Sequence, residues 1–316
     1  MTGAAGNGGE TKVAGDGRVI CIGGVLWETS FLVDEIPGRG VKLLPRGMQQ
    51  IASGMAVSAA AAIARLGHPV ELWSLVGRDA NGQACLDNLA ADGIDVGHLL
   101  QREGARTPVS AILVDPAGER LVVPYFDPCL YAAPVALPLE RLEGAGAVLV
   151  DVRWPDAGEV AMRHARSIGV PTVLDADLAP PEILHRLMPL ADHVLLSEVA
   201  LDALSSGRPP TEALRGLVAE LPGAVVIGVT LGARGALVWE RAVPDSLWSF
   251  PVEPIRAVDT LNAGDIWHGA YVHGLVRGLD TGERVRFAHA AAAIKCERPG
   301  GRLGAPTLAE VLSRLG

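Results

Sequence analysis

Ala147-Val148-Leu149-Val150-Asp151, Pro171-Thr172-Val173-Leu174-Asp175 and His193-Val194-Leu195-Leu196 are three short apolar runs. They are separated by the helix-length segments Asp156 to Ile168 and Pro181 to Met188. Short apolar runs alternating with helical segments predict buried strands joined by crossover helices, hence a parallel sheet with helices on its faces. The expected fold is therefore α/β: a doubly wound, mostly parallel sheet flanked by helices. In such sheets ligands sit beyond the carboxyl ends of the strands, which puts Glu28, Arg153, Asp175, Ser197 and Gly232 on one rim.

The same alternation extends outward from this block. On its C-terminal side, helices are expected near Val199 to Leu204 and Thr211 to Leu221, strands at Ala224 to Thr230 and Ala236 to Trp239, and long helices after Asp265 and Gly282. On its N-terminal side, Arg18 to Gly24 predicts a first strand. Ser53-Gly54 leads into an alanine-rich helix ending at Leu66-Gly67, followed by a strand at Val70 to Val76 and a helix at Ala80 to Asp92. Phe31 to Ile51 holds two short extended pieces broken by Pro37-Gly38-Arg39-Gly40 and Pro45-Arg46-Gly47. Val109 to Val114 and Arg120 to Tyr125 flank Asp115-Pro116-Ala117-Gly118, a hairpin signal. These two ribbons are expected to pair.

A chain of 316 residues, 49% apolar and 20% charged, is long enough for one continuous α/β core. Its formal net charge of −9 and lack of a Lys/Arg-rich run argue against nucleic acid as a partner. The four cysteines, Cys21, Cys85, Cys129 and Cys296, form no Cys-x-x-Cys pair, so free thiols in a reducing cytoplasm are expected. Met1 to Gly17 has neither a basic head nor an apolar core and is expected to be a disordered tail, not a signal peptide. No run of about 18 apolar residues predicts a membrane span.

The chemistry concentrates in Asp259-Thr260-Leu261-Asn262-Ala263-Gly264-Asp265, directly before an amphipathic run from Ile266 to Val276. A helix starting there aims free N–H groups and its positive dipole end at its mouth. Small side chains at Ala263 and Gly264 let an anion approach the backbone. Asp265, in the first turn, could take a proton from a hydroxyl, so the implied chemistry is phosphoryl transfer to an alcohol. The plainer alternative is a capping aspartate beside a turning glycine.

Competing signatures are missing. There is no Gly-x-x-x-x-Gly-Lys-Ser/Thr, no Gly-x-Gly-x-x-Gly after the first strand and no Gly-x-Ser-x-Gly elbow. His268, His273 and His289 lack metal-ligand spacing and are expected to pack helices or lie at the surface. Thr230-Leu231-Gly232-Ala233-Arg234-Gly235 joins two strands, with glycines able to bring backbone donors to a nucleotide.

Ser53-Gly54, Thr230 to Gly235 and Asp259 to Asp265, in this order, make the chain resemble the ribokinase-like (PfkB) carbohydrate kinases from about Arg18 to the C-terminus. The most specific element is Asp-Thr-x-x-Ala-Gly-Asp at 259–265. The resemblance implies that Asp265 deprotonates the sugar hydroxyl and that the amides of Asn262, Ala263 and Gly264 form an anion hole. Asp259 would brace the loop, with room for a monovalent cation. Ser197, Thr230, Gly232 and Gly235 would hold ATP with Mg²⁺, and Ala290 to Lys295, including Ala292, would wall the adenine.

Several positions depart from the family pattern. Asn262 replaces a small residue, and Ser197-Glu198-Val199-Ala200 stands for Asn-x-x-Glu, leaving alanine at the glutamate position. Ser53-Gly54 and Ser58 replace Gly-Gly and an asparagine, and Glu28 replaces an aspartate that grips sugar hydroxyls. Gly40-Val41-Lys42, Ser58, Asp151-Val152-Arg153-Trp154 and Cys296-Glu297-Arg298-Pro299-Gly300-Gly301-Arg302 look most similar to the sulfofructose kinases. That subgroup phosphorylates C1 of 6-deoxy-6-sulfofructose with a lysine and an arginine on the sulfonate, which Lys42 and Arg153 match. Pro124 stands where the subgroup has an asparagine.

The expectation is an ATP-dependent kinase acting on a small-molecule sugar bound by Glu28, Lys42, Gly54, Ser58, Arg153 and Asp265. The kinase domain would span 18–316, with lid segments at about 28–51 and 107–127 that also form a homodimer. Rival substrates are those of fructokinase, 2-keto-3-deoxygluconate kinase and nucleoside kinase. A non-catalytic sugar- or nucleoside-binding regulator is the alternative from another class.

Overall fold

The computed structural model describes residues 17–316; the tail expected over Met1 to Gly17 lies, except for Gly17, outside them. The central strands are β1 (Val19–Ile22), β4 (Val70–Gly77), β8 (Ala147–Asp151), β9 (Thr172–Ala176), β10 (His193–Ser197) and β11 (Val226–Thr230). All of them are parallel. The edges are β5 (Leu99–Arg102), parallel to β4, and the antiparallel pair β12 (Ala236–Glu240) and β13 (Leu247–Phe250). The order of this nine-stranded sheet is β13-β12-β11-β10-β9-β8-β1-β4-β5.

Strand alternation divides the core into two layers. Val19, Cys21, Leu149, Val173 and Leu195 pack on one face against α1 (Met55–Arg65), α7 (Ala263–Val276) and α8 (Thr281–Cys296). Ile20, Ile22, Val148, Val150, Leu174 and Val194 point to the other face. There they meet α3 (Pro155–Ser167), α4 (Pro181–Leu187), α5 (Glu198–Ser205) and α6 (Pro210–Glu220). Strands covered on both faces need no polar side, which is why 147–150, 173–174 and 194–196 are apolar throughout, with Asp151, Thr172, Asp175, His193 and Ser197 at or near the strand ends.

The helix after the Asp259–Asp265 segment is not amphipathic as expected. Every residue of α7 from Ile266 to Gly274 is buried, because α1 and α8 pack against it on the same side of the sheet. The small residues of α1 permit this close approach: a Cβ on Gly269 would lie 2.5 Å from the Ala59 carbonyl. Ile266 and Val272 are wholly buried, and each such side chain contributes about 1.5–3 kcal/mol. The site at the start of α7 is therefore mounted on a helix that cannot shift without disturbing the core.

A second, four-stranded sheet has the order β3-β2-β6-β7, from β2 (Leu26–Leu32), β3 (Gly47–Ser53), β6 (Val109–Val114) and β7 (Arg120–Tyr125). The two ribbons expected to pair do so through parallel strands β2 and β6. Helices α2 (Ala80–Ala91) and α9 (Leu308–Leu315) and four short 3-10 turns complete the described elements. No described helix is long and apolar enough to cross a membrane, and all four cysteines are free.

Candidate active site

Asp265 stands in the first turn of α7, and Asn262 is the residue that turns the chain into that helix. Asn262 has φ 61°, one of two non-glycine residues with positive φ among those described. Asparagine is among the few L-residues that enter this left-handed region at modest cost. Its side chain neither crowds the helix mouth nor caps the helix: Nδ2 donates to Asp265 Oδ2 at 2.8 Å. Burial lifts the Asp265 carboxyl to about 7; the Asp175 charge adds to the rise, while the Asn262 bond and His268 oppose it. A carboxylate held near neutrality can both accept and release a proton at working pH.

Beneath Asp265 lies a buried pair. His268 Nδ1, one turn further along α7, is 3.2 Å from Asp175 Oδ2 at the end of β9, and both side chains are 3% exposed. Burial holds His268 low and pushes Asp175 well above the usual carboxylate range, with the Asp177 and Asp151 charges adding to the latter. His268 and His273 are buried packing residues, and no described group of three or more His, Cys, Asp or Glu is arranged to hold a metal.

The segment before Asn262 is tied from several directions. Asp259 accepts from the Leu261 amide through Oδ1 and from the Gly301 amide through Oδ2, both at 2.8 Å. Lys295, expected along the adenine wall, is fully buried and turns its ammonium to the Asp259 carbonyl at 2.6 Å and to Oδ2 at 3.2 Å. The amides of Val258 and Asp259 donate to Cys296 O at 2.7 and 3.1 Å. From the small sheet, Arg120 Nη2 donates to Thr260 Oγ1 at 3.2 Å, and Nη1 lies 3.6 Å from Asp259 Oδ1. Of the three amides expected in an anion hole, that of Ala263 already meets Thr260 O at 3.3 Å, whereas Gly264 is exposed at the mouth.

In the small sheet, Glu28 and Ser30 share the inner face of β2, and Ser30 Oγ donates to Glu28 Oε1 at 2.8 Å. Ser110 of β6 pairs with Glu28, and its buried hydroxyl meets no protein partner, an unused hydrogen-bonding group facing the same side. Sequence reading passed over Ser110; the strand alternation from Val109 to Val114 carried the signal. Gly54 has φ 141°, and a Cβ there would lie 2.2 Å from Gly24 O, so only glycine starts α1 in this way. Ser58 donates to Gly54 O at 2.8 Å and is fully buried.

Asp151, at the tip of β8, gathers this side. Its carboxylate accepts from the amides of Gly24 at 3.2 Å, Ala56 at 3.0 Å and Arg153 at 2.7 Å. Burial still pushes it up to about 6. One buried acid thus fixes the turn after β1, the start of α1 and the backbone of Arg153. Arg153 itself is half-exposed, with Nη2 3.9 Å from Asp177 Oδ2, and Lys42 is exposed on the segment between β2 and β3.

On the remaining part of the rim, Ser197 ends β10 in register with Thr230 at the end of β11. Ser197 Oγ caps α5 by accepting from the Ala200 amide at 3.2 Å. Gly232 and Gly235 both have positive φ, and a Cβ on Gly235 would meet Phe250 O at 1.9 Å. Arg234 is paired with Glu198 across this turn. Ala292 is half-buried on α8. A cleft of about 200 Å³ between the small sheet and the Asp259 segment is lined by Glu28, Ser53, Arg120, Asp259, Asn262 and Gly301, among others. It unites the first strand of the small sheet with the segment leading into α7 as far as Asn262; Ala263, Gly264 and Asp265, Gly54 and Ser58, Lys42 and Arg153, and the Ser197–Thr230 edge lie outside its lining.

A doubly wound sheet, a small second sheet and an aspartate in the first turn of a helix behind a tied loop are the arrangement of a phosphotransferase of the ribokinase-like class. The family model for "pfkB family carbohydrate kinase" matches residues 16–308, and the chain belongs to that family. A ribokinase from Haemophilus influenzae is 28% identical over 87% of this chain and 91% of its own length. A nucleoside kinase from Methanothermobacter thermautotrophicus is 24% identical over 95% and 96%. Among solved structures, a provisionally assigned ribokinase from Agrobacterium tumefaciens is 38% identical, with a TM-score of 0.90 over 94% of this chain and 97% of that one. The protein is an ATP-dependent sugar kinase of the pfkB family.

Proposed function

We propose that the protein transfers the γ-phosphoryl group of ATP to a hydroxyl of a sugar bearing an anionic group, with Asp265 as the base. Asp265 takes the hydroxyl proton, the sugar oxygen forms its bond to the γ-phosphorus, and the bond from that phosphorus to the β-phosphate oxygen breaks, releasing ADP. The amides of Asn262 and Gly264, with that of Ala263 once Thr260 gives way, receive the transferring group at the positive end of α7. Ser197, Thr230, Gly232, Gly235 and Ala292 take the nucleotide. The small sheet, with its segments 28–51 and 107–127, serves as the lid of a single kinase domain over 18–316. Closing it excludes water and favours the sugar as acceptor.

The observation that carries this reading is the placement of Asp265 in the first turn of the buried helix α7, bonded to Asn262 and directly after a segment tied by Leu261, Gly301 and Lys295. Arg153 is the feature favouring an anionic substrate. Its backbone is fixed by Asp151 while its guanidinium is half-exposed and only 3.9 Å from its nearest carboxylate, so it is available for a sulfonate or carboxylate. C1 of 6-deoxy-6-sulfofructose is the specific acceptor proposed, with Lys42 as the second cation. Pro124, in register with Ser110, supplies no N–H on this side.

Magnesium is expected on the ATP phosphates. Ala200 is fully buried and offers no ligand where the family pattern has a glutamate, and Glu198 is paired with Arg234. On this proposal the ion is held chiefly by the ATP phosphates. A cytoplasmic homodimer joined through the small sheet completes the reading; Leu121, Val122, Val123 and Tyr125 expose apolar surface on β7.

A neutral pentose or nucleoside is the second reading, favoured by the names of the relatives. ADP release over a panel containing sulfofructose, fructose, ribose, 2-keto-3-deoxygluconate and adenosine separates them. The expected result is fastest turnover with sulfofructose. Faster turnover of ribose or adenosine would overturn the anionic assignment, and heat of sugar binding without any ADP would identify a binding protein instead of an enzyme.

A further inference from the structure

The Asp259 segment raises the question of which cation, if any, steadies it. All three oxygens of Asp259 are engaged. Asp259 Oδ1 takes the Leu261 amide and faces Arg120, while Oδ2 takes the Gly301 amide and the Lys295 ammonium. The main-chain oxygen accepts from Lys295 Nζ at 2.6 Å. A hard ion needs several oxygens turned toward it, and here two amides and two cationic side chains already surround the carboxylate. A monovalent metal ion does not fit this donor set.

We propose that the buried Lys295 ammonium is the resident cation of the phosphate-holding loop, so that this kinase works without a bound alkali ion. The inference rests on reading residues 262–264 as the anion hole. Lys295 lies at the end of α8, a helix packed along α7, and its ammonium contacts both the backbone and the side chain of Asp259. One covalently supplied charge thus fixes the turn three residues before Asn262 and, through it, the direction of the amides that receive the phosphoryl group. Lys295 is a positioning residue, since it meets the loop and not the substrate. Arg120 adds a second cation from the small sheet, reaching Thr260 and Asp259. Loop order and the position of the small sheet are thereby linked.

The test compares the wild-type enzyme, Lys295→Ala and Lys295→Met in sodium, potassium, methylammonium and tetramethylammonium chlorides at equal ionic strength. Both melting temperature and ADP release are read. The wild-type protein should show the same melting temperature and the same kcat, within about twofold, in all four salts. Lys295→Ala, which opens a space beside Asp259, should lose about a hundredfold in kcat through loop misplacement. It should regain part of that loss, and part of its melting temperature, with potassium or methylammonium but not with tetramethylammonium. Lys295→Met, which fills the space without charge, should lose activity and gain nothing from any salt.

Severalfold activation or marked stabilisation of the wild-type protein by potassium would overturn the proposal. So would full activity of Lys295→Ala. If the variants do not fold, the wild-type comparison decides alone. If no sugar in the panel supports ADP release, the acceptor assignment fails separately, and the melting temperatures still test the resident cation.

Discussion

The two halves of the rim are built on different principles. The phosphoryl side is backbone held by neighbours: Asp259, Asn262 and Asp265 lie in one seven-residue segment, and their partners Leu261, Lys295 and Gly301 lock it. The proposed sugar side is side chains from four separate elements, Glu28 on β2, Ser58 on α1, Ser110 on β6 and Arg153 after β8; buried Asp151 ties the start of α1 and the Arg153 backbone, while Glu28 and Ser110 are held by strand pairing. A reaction class can reside in a single turn of backbone, whereas a substrate is recognised by groups that only the tertiary fold brings near one another.

That contrast can be broken where it is sharpest. Asp265→Asn should lower kcat by about 10² to 10⁴ while leaving ATP affinity nearly unchanged by calorimetry. A parallel loss of ATP affinity would mean that the phosphoryl side is held by its side chain and not by its backbone. On the other half, Arg153→Ala should raise KM about tenfold or more for acidic sugars and leave neutral sugars untouched, the loss expected of a charged hydrogen-bonding partner. Equal effects on both would remove the anionic assignment. The smallest effect sharpens the boundary: Asn262→Gly keeps the left-handed backbone but deletes the bond that favours the ionised form of Asp265. The acidic limb of its pH–rate profile should move to higher pH by a fraction of a unit, with little change in the plateau; an unmoved limb would detach Asn262 from the base.

The same division explains what could be read from sequence. The strands at 109–114, 120–125 and 147–151 were legible to the residue because apolar periodicity and turn residues bound them. Two edge strands and the last helix were missed, along with short 3-10 turns. β5 and β13 are four-residue edge strands with mixed polarity, and α9 lies beyond the last motif. For α7, a long apolar run was visible, but sequence could not tell one buried face from burial all round, since α1 and α8 come from positions far along the chain. The local order Asp259, Asn262, Asp265 was legible because it is one contiguous segment entering a helix, whereas the distant partners of Asp259, Lys295 and Gly301, were not.

The Asp151 hub, the turn of Lys295 toward Asp259 and the anchoring by Arg302 were not. Arg302, read only as part of a motif similar to one kinase subgroup, is a buried strut donating to Ala52 O at 2.7 Å and Asn88 Oδ1 at 2.6 Å. Its partners lie more than two hundred residues away, a separation no local pattern encodes.

The central claim is that Asp265 receives the proton of the sugar hydroxyl, and the pH dependence of kcat/KM tests it most directly. Burial and Asp175 raise the carboxyl to about 7, so the base is protonated and idle below that pH and ionised above it. Activity should therefore fall about tenfold per pH unit below roughly 7 and level off above it, and the residual activity of Asp265→Asn should lose this inflection. A wild-type profile flat through neutrality, or the same inflection persisting in Asp265→Asn, would contradict the account.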